Sequence, residues 1–176
     1  MELDKCIQER RSVRKYNKKK VSWELISEIM ESGEHAPCAG GIQNYYFIVV
    51  KSNKTKEAIS RACSQLWMLD APYFIVVCND KNKMKKFYEQ EGGHYAIQNC
   101  AVVAQTMLLK AHSLGLSSCW VGSYDDIQLQ RILKLPDHVN VESILVFGYS
   151  DSKSKEPRRF PLDRMTYFEE FGNTKK

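Results

Sequence analysis

The sequence predicts an α+β domain in which helices surround one sheet of few strands. Four short segments are rich in β-branched and aromatic residues, which is typical of buried strands. Five other segments carry apolar residues at helical spacing. With 176 residues the chain is long enough to bury a real core, and we assign residues 1–176 to a single domain.

The first half of the chain alternates between helical and strand patterns. Residues 3–7 have helical spacing. Ser22 is a plausible N-cap for a second helix that we expect to stop at Gly33. The remaining expected elements here are a buried strand over 45–50, a short helix over 54–63, and a second buried strand over 73–78 that Pro72 opens.

In the second half, the polar and lysine-rich residues 79–93 are expected to form a mobile surface excursion. The longest helix is predicted over 94–114, and its apolar residues cover much of its circumference. Such a helix should be central, and a second subunit is one surface that could cover it. A strand over 117–121, a helix over 127–133 introduced by the S-x-x-D pattern at Ser123, and a strand over 141–149 follow.

The tail, residues 151–176, is first basic and then aromatic. Such a segment cannot bury itself, so we expect it to dock on the body of the chain or on a twin subunit.

Composition argues against several classes of function. The net charge of +5 and the lysine clusters at 18–20 and 81–86 are compatible with a nucleic-acid-binding module. However, no zinc-finger spacing or RNA-binding aromatic motif is found, so we expect no nucleic-acid partner. The six cysteines form no C-x-x-C pair, and we expect no metal site. Without a signal-like start or an 18-residue apolar stretch, a cytoplasmic protein with no membrane partner is expected.

The chemistry-bearing feature of the sequence is the run from Arg10 to Tyr16, with three arginines, a serine and a lysine. Guanidinium groups donate paired hydrogen bonds to phosphate, so the run could hold a phosphate group. It could also be a solvated basic helix end. No nucleophile–base pair or glycine-rich phosphate motif is present. An enzyme without its own acid, base or nucleophile usually relies on a cofactor.

Five motifs in consecutive order resemble those of the FMN-dependent nitroreductase superfamily, in its short single-domain form. They are Arg10-Arg11-Ser12-Val13-Arg14, residues 36–43 (A-P-C-A-G-G-I-Q), residues 69–72 (L-D-A-P), residues 115–122 (G-L-S-S-C-W-V-G), and Arg159-Phe160-Pro161-Leu162-Asp163 with Tyr167-Phe168. The resemblance covers nearly the whole chain. It implies the nitroreductase-like fold, a central mixed or antiparallel sheet surrounded by helices. It also implies an intertwined homodimer whose C-terminal tail docks on the partner.

The resemblance also implies how FMN would be held at its phosphate end. Arg10, Ser12, Arg14 and Arg159 would hold the phosphate and the ribityl chain. Arg11 matches the same motif and would contribute through its backbone.

At the flavin ring the resemblance implies three kinds of contact. Gly122 and Ser123 would offer backbone N–H groups near N5 and O4, and Gln65 would contact the pyrimidine edge. A loop of the other subunit would lie against the ring; its residues are Pro37, Cys38 and Ala39.

The loop departs from the family pattern at three positions. Gly41 stands where the family usually has asparagine, so one polar contact is lost. Cys38 replaces the usual serine, and its thiol is either redox-active or an isosteric replacement. Asn44 stands where proline is common.

The activity implied by the resemblance is an FMN-dependent oxidoreductase that takes a hydride from NADH or NADPH. The acceptor would be a small aromatic molecule (a nitroaromatic, a quinone or a flavin), reduced in ping-pong order. One alternative is another branch of the fold, which fragments flavin or removes halogen, with residues 79–93 as the lid that decides. The other alternative is a protein that binds flavin without catalysing a reaction.

Overall fold

A four-stranded antiparallel sheet lies at the centre of this computed structural model, which describes residues 1–152 and 154–175. The strands are β1 (Tyr45–Val50), β2 (Tyr73–Asp80), β3 (Ser117–Val121) and β4 (Val139–Gly148), in the order β1-β2-β4-β3. Each neighbouring pair is antiparallel. The predicted α+β class is therefore confirmed, and the sheet is antiparallel rather than mixed.

Six α-helices of the described residues surround the sheet: α1 (Leu3–Glu9), α2 (Trp23–Glu34), α3 (Asn53–Ala62), α4 (Lys81–Tyr88), α5 (Gly92–Ser113) and α6 (Asp126–Leu133). Alternate residues of β2 point to opposite faces of the sheet, as strand geometry requires. Ile75 and Val77 pack with α2 and α5 on one face, whereas Phe74 and Val76 pack with α3 and α6 on the other. The core therefore has two layers, one on each side of the sheet.

The prediction that α5 is central is confirmed. Nine of its residues are buried, and it contacts α2, α4 and all four strands of the sheet. Ile97 and Val102 nevertheless remain exposed on its outer side. Within the described residues, no helix combines the length and the apolar character that crossing a membrane requires.

Strand β1 is less buried than the sequence predicts. It lies at the edge of the sheet and pairs with β2 alone, so Tyr46 stays exposed and three of its residues are only half-buried. The expectation of a fully buried strand is wrong for β1 and correct for β2, since β2 has a neighbour on each side.

Two predicted helix boundaries are wrong for identifiable reasons. Helix α2 begins at the predicted cap Ser22 but continues to Glu34, so Gly33 lies inside its last turn. A Cβ at Gly33 would come within 3.1 Å of Met107, which shows that this glycine permits close packing of α2 on α5. The N-cap of α6 is Asp125 rather than Ser123, because the Asp125 carboxylate accepts a hydrogen bond from the backbone N–H of Gln128 at 2.9 Å.

The segment 79–93 is helical, in contrast to the expected loop-like excursion. Strand β2 continues to Asp80, whose carboxylate caps α4 by accepting from Asn82 and Lys83. A Cβ at Gly92 would lie 2.7 Å from the backbone of α4. This glycine therefore lets the start of α5 approach α4 closely.

The tail beyond β4 carries exposed apolar side chains within the single chain. Its fractional exposure reaches 75% at Leu162 and 93% at Phe171. Tyr167 and Phe171 contact each other at 4.6 Å between ring centroids. A large apolar surface of this kind is typical of an interface.

Candidate functional site

The arginine-rich segment lies beside the sheet at the end of α1. Ser12 forms a parallel bridge with Ser118 of β3, and the Val13 N–H donates to the Ser118 carbonyl at 2.9 Å. In an extended segment successive side chains point to opposite sides. Arg10, Ser12 and Arg14 therefore share one side, while Val13 is buried.

Arg10 has positively charged neighbours, Arg11 and Arg159. Partial burial, together with the charges of Arg11 and Arg159, lowers the pKa of Arg10. Among the residues that the structure describes, no carboxylate forms an ion pair with Arg10. A bound anion would stabilise a half-buried guanidinium that lies among like charges. The planar guanidinium group of arginine can donate paired hydrogen bonds to a phosphate.

The side chain of Arg11 is used by the chain itself. Its guanidinium donates to the carbonyl of Gln8 and, at 3.0 Å, to that of Arg10. It also pairs with Glu156 at 3.6 Å. Arg11 thus satisfies carbonyls that α1 leaves unpaired at its C-terminus. Its ion pair with Glu156 also connects the tail to the C-terminus of α1.

Arg14 and Gln65 are joined through an aromatic residue that the sequence did not indicate. The Arg14 guanidinium lies 5.9 Å from the centre of the Trp67 ring. The Trp67 indole N–H donates to Gln65 Oε1 at 3.1 Å. The Tyr16 ring stacks on the Trp67 ring, with 6.4 Å between the ring centroids. Trp67 is distant in sequence from Arg14 and belongs to no motif, so only the folded chain reveals this link between Arg14 and Gln65.

Gly122 and Ser123 form the exposed turn that follows β3. Asp125, two residues further on, is held by a backbone hydrogen bond, in which its N–H donates to the Ala62 carbonyl at 3.0 Å. Across residues 1–152 and 154–175, no backbone carbonyl accepts from the N–H groups of Gly122 and Ser123. These two donors can therefore serve a ligand.

The loop with Pro37, Cys38 and Ala39 follows α2. Pro37 is exposed, and the other two are half-buried. Burial raises the pKa of the Cys38 thiol, although a hydrogen bond with Tyr45 opposes the shift. The Cys38 thiol donates weakly to the Ala36 carbonyl at 3.6 Å. It is thus a neutral thiol near pH 7, which favours the isosteric over the redox interpretation.

The arginine segment and the loop contact different parts of α5. His112, near the end of α5, lines a concavity of about 590 Å³ together with Arg10 and Arg11. The loop is attached to Asn99 instead. Asn99 and His112 are 13 residues apart in α5, a rise of about 20 Å at 1.5 Å per residue. A single chain therefore brings together Arg10, Arg11 and Arg159, and separately Arg14 and Gln65, but it keeps the loop apart.

Comparison with known proteins decides the family. The model of the nitroreductase family matches residues 7–68 and 56–149. The chain belongs to the nitroreductase family. A Methanothermobacter thermautotrophicus protein, whose name pairs NADH dehydrogenase with NAD(P)H nitroreductase, is 33% identical over 170 residues, covering 94% of this chain and 86% of that protein.

Two further relatives carry FMN in their names. The Bacillus subtilis FMN reductase that uses NAD(P)H is 27% identical over 187 residues, covering 98% of this chain and 75% of the relative. The structure of an FMN-dependent nitroreductase from Clostridium difficile superimposes with a TM-score of 0.80 at 28% identity, covering 94% of this chain and 98% of the other.

Proposed function

We propose that this nitroreductase-family chain is an FMN-dependent oxidoreductase that takes a hydride from NADH or NADPH and passes it to a small aromatic acceptor. Family membership and the names of the FMN and NAD(P)H relatives support the oxidoreductase class. The observation that carries the proposal is the positive cluster of Arg10, Arg11 and Arg159, which no carboxylate neutralises at Arg10 among the described residues.

FMN, when bound, supplies the group that accepts and donates the hydride. On this proposal Arg10, Ser12, Arg14 and Arg159 hold its phosphate and ribityl chain, where guanidinium donors fit a phosphate dianion. Arg11 contributes through its backbone, which agrees with the engagement of its side chain by Gln8 and Glu156.

At the ring, the unpaired N–H groups of Gly122 and Ser123 would stabilise negative charge, as donors of an oxyanion hole do. Gln65 uses its carbonyl oxygen for Trp67, so its amide N–H₂ stays available for a carbonyl of the pyrimidine edge.

The same proposal requires a homodimer. Ala39 is bonded to Asn99, which lies about 20 Å along α5 from His112 beside the arginine cluster, so a second copy would supply Pro37, Cys38 and Ala39. The exposed apolar side chains of the tail would dock on that second copy. We treat residues 1–176 as one domain, and the six unpaired cysteine thiols agree with a reducing cytoplasm.

Candidate acceptors are nitroaromatics, quinones and free flavins. Because nicotinamide and acceptor would use the same face of the ring in turn, the order would be ping-pong. The direct test records the absorbance spectrum of the purified protein loaded with FMN, before and after anaerobic addition of NADH or NADPH.

Loss of the flavin bands on addition, followed by their return with nitroaromatic or quinone, is the expected result. Parallel lines in double-reciprocal plots would support ping-pong order. Retained flavin bands would point instead to the flavin-fragmenting branch or to a flavin carrier. A protein that retains no FMN would overturn the proposal, and Arg10→Ala serves as the matched control for FMN retention.

A further inference from the structure

The loop that follows α2 contains a single 3₁₀ turn over Ala39–Gly41, in which the Gly41 N–H donates to the Cys38 carbonyl at 3.0 Å and the Ile42 N–H to the Ala39 carbonyl at 3.1 Å. Gly40 and Gly41 have φ values of 59° and 69°, a region that side chains disfavour. Gly41 carries no side chain that could anchor the loop. The Ala39 N–H and the Ile42 carbonyl therefore need partners from elsewhere in the molecule, as inward-facing backbone groups generally do.

Asn99 of α5 provides both partners. Its Oδ1 accepts from the Ala39 N–H at 2.9 Å, and its Nδ2 donates to the Ile42 carbonyl at 3.2 Å. The same Nδ2 donates to Asn44 Oδ1 at 2.7 Å. Asn99 is only 3% exposed, so these bonds are shielded from water.

Asn44 extends this network to the surrounding elements. It is fully buried, and its Nδ2 donates to the Ala96 carbonyl of α5 at 3.4 Å. The backbone carbonyl of Asn44 accepts a hydrogen bond from the N–H of Asp80, the residue that precedes α4, at 2.7 Å. The two buried side-chain amides therefore hold the loop to α5, and the backbone carbonyl of Asn44 connects it to the start of α4.

Asn99 occupies a position where an apolar residue would otherwise be expected. It lies on the buried face of α5, between Ala96 and Val103. A buried amide is costly unless it is hydrogen-bonded. When it is fully bonded, it favours one arrangement of its partners over others.

We infer that Asn99 is a positioning residue that holds the loop with Cys38 and Ala39 in the conformation needed at the flavin ring. The inference rests on the proposed function, because it takes that loop to contact FMN bound across the subunit interface. Asn99 itself acts from inside the fold, through Ala39 and Ile42.

The test replaces Asn99 by Leu, which has a similar size and makes no hydrogen bonds. Amide hydrogen exchange of Ala39 is measured on the full chain without FMN, and FMN affinity is measured by titration. We expect Ala39 exchange to be about tenfold faster and the FMN Kd to rise about tenfold, as loss of buried hydrogen bonds predicts. Should Asn99→Leu fail to fold, Asn99→Ala removes the same bonds without adding bulk.

A control variant separates positioning from general destabilisation. Cys100→Ala truncates the neighbouring buried residue of α5, which is 1% exposed, and should leave both Ala39 exchange and FMN affinity unchanged.

The outcomes are distinct. Unchanged Ala39 exchange in Asn99→Leu would overturn the inference whatever FMN does, and so would faster exchange with unchanged FMN affinity. Either result leaves the proposed function standing if the unmodified chain binds FMN. If the unmodified chain binds none, the proposed function fails and the inference falls with it.

Discussion

Arg10 and Arg11 are adjacent and chemically identical, yet the structure predicts opposite effects for their removal. Arg10 has like charges as neighbours and no ion-pair partner in the described part of the chain, whereas Arg11 donates to two carbonyls and pairs with Glu156. We therefore expect Arg10→Ala to weaken FMN binding and Arg11→Ala to weaken the fold.

The magnitudes follow from these contacts. A hydrogen bond to a charged group contributes about 1.5–3 kcal/mol, so loss of Arg10 should raise the FMN Kd about 10- to 150-fold. The free energy of unfolding without FMN should stay within about 0.5 kcal/mol or rise slightly, since a like charge is removed. Arg11→Ala should lower that free energy by about 1–2 kcal/mol and change FMN affinity much less.

The assay combines urea unfolding of the FMN-free variants with titration of FMN followed by flavin fluorescence. FMN binding of the unmodified chain should also weaken with added salt, and this dependence should be smaller in Arg10→Ala. The reasoning is refuted if Arg10→Ala destabilises the FMN-free fold, or if Arg11→Ala loses as much FMN affinity as Arg10→Ala.

Three further predictions concern glycines and thiols. Gly33→Ala would place a methyl group 3.1 Å from α5 side chains and should cost about 1–3 kcal/mol in urea unfolding. The matched Gly93→Ala meets open space and should stabilise by about 0.5–1 kcal/mol; equal effects would contradict the packing argument. Since burial raises its pKa, Cys38 should react with iodoacetamide at pH 7 more slowly than a free cysteine, and Cys38→Ser should keep the anaerobic bleaching by NAD(P)H. Burial raises the pKa of Cys63 to about 11 and of Cys78 to about 12. Unfolded thiols ionise near pH 8.5, so the unfolded state loses protons first and stability should fall from about pH 8.5 upward. A flat urea midpoint between pH 8 and 10 would argue against this.

The positions of the strands and most helices followed from sequence because they depend on local patterns. The strand Tyr45–Val50 and the apolar face of α5 can be predicted from the spacing of their apolar residues alone. One boundary was wrong because two local signals compete. Ser123 and Asp125 are both good N-caps, and the Asp125 N–H bond to Ala62 is a contact that no local pattern contains.

The candidate site divides in the same way. The arginines, the loop and the turn at Gly122 could be named from motifs, since each motif is a short contiguous run. Trp67 and Asn99 could not, although the place of Asn99 on the apolar face of α5 is a signal that could have singled it out.

By itself, the sequence determined the α+β class, the family and the order of the elements other than α4, because periodicity and contiguous motifs are properties of the chain alone. Only the tertiary structure decided that Arg11 serves α1 while Arg10 forms no ion pair within the described residues, and that the loop and the arginine cluster contact different parts of α5. Those facts depend on contacts between residues far apart in the chain, and such contacts leave no periodic trace in the sequence.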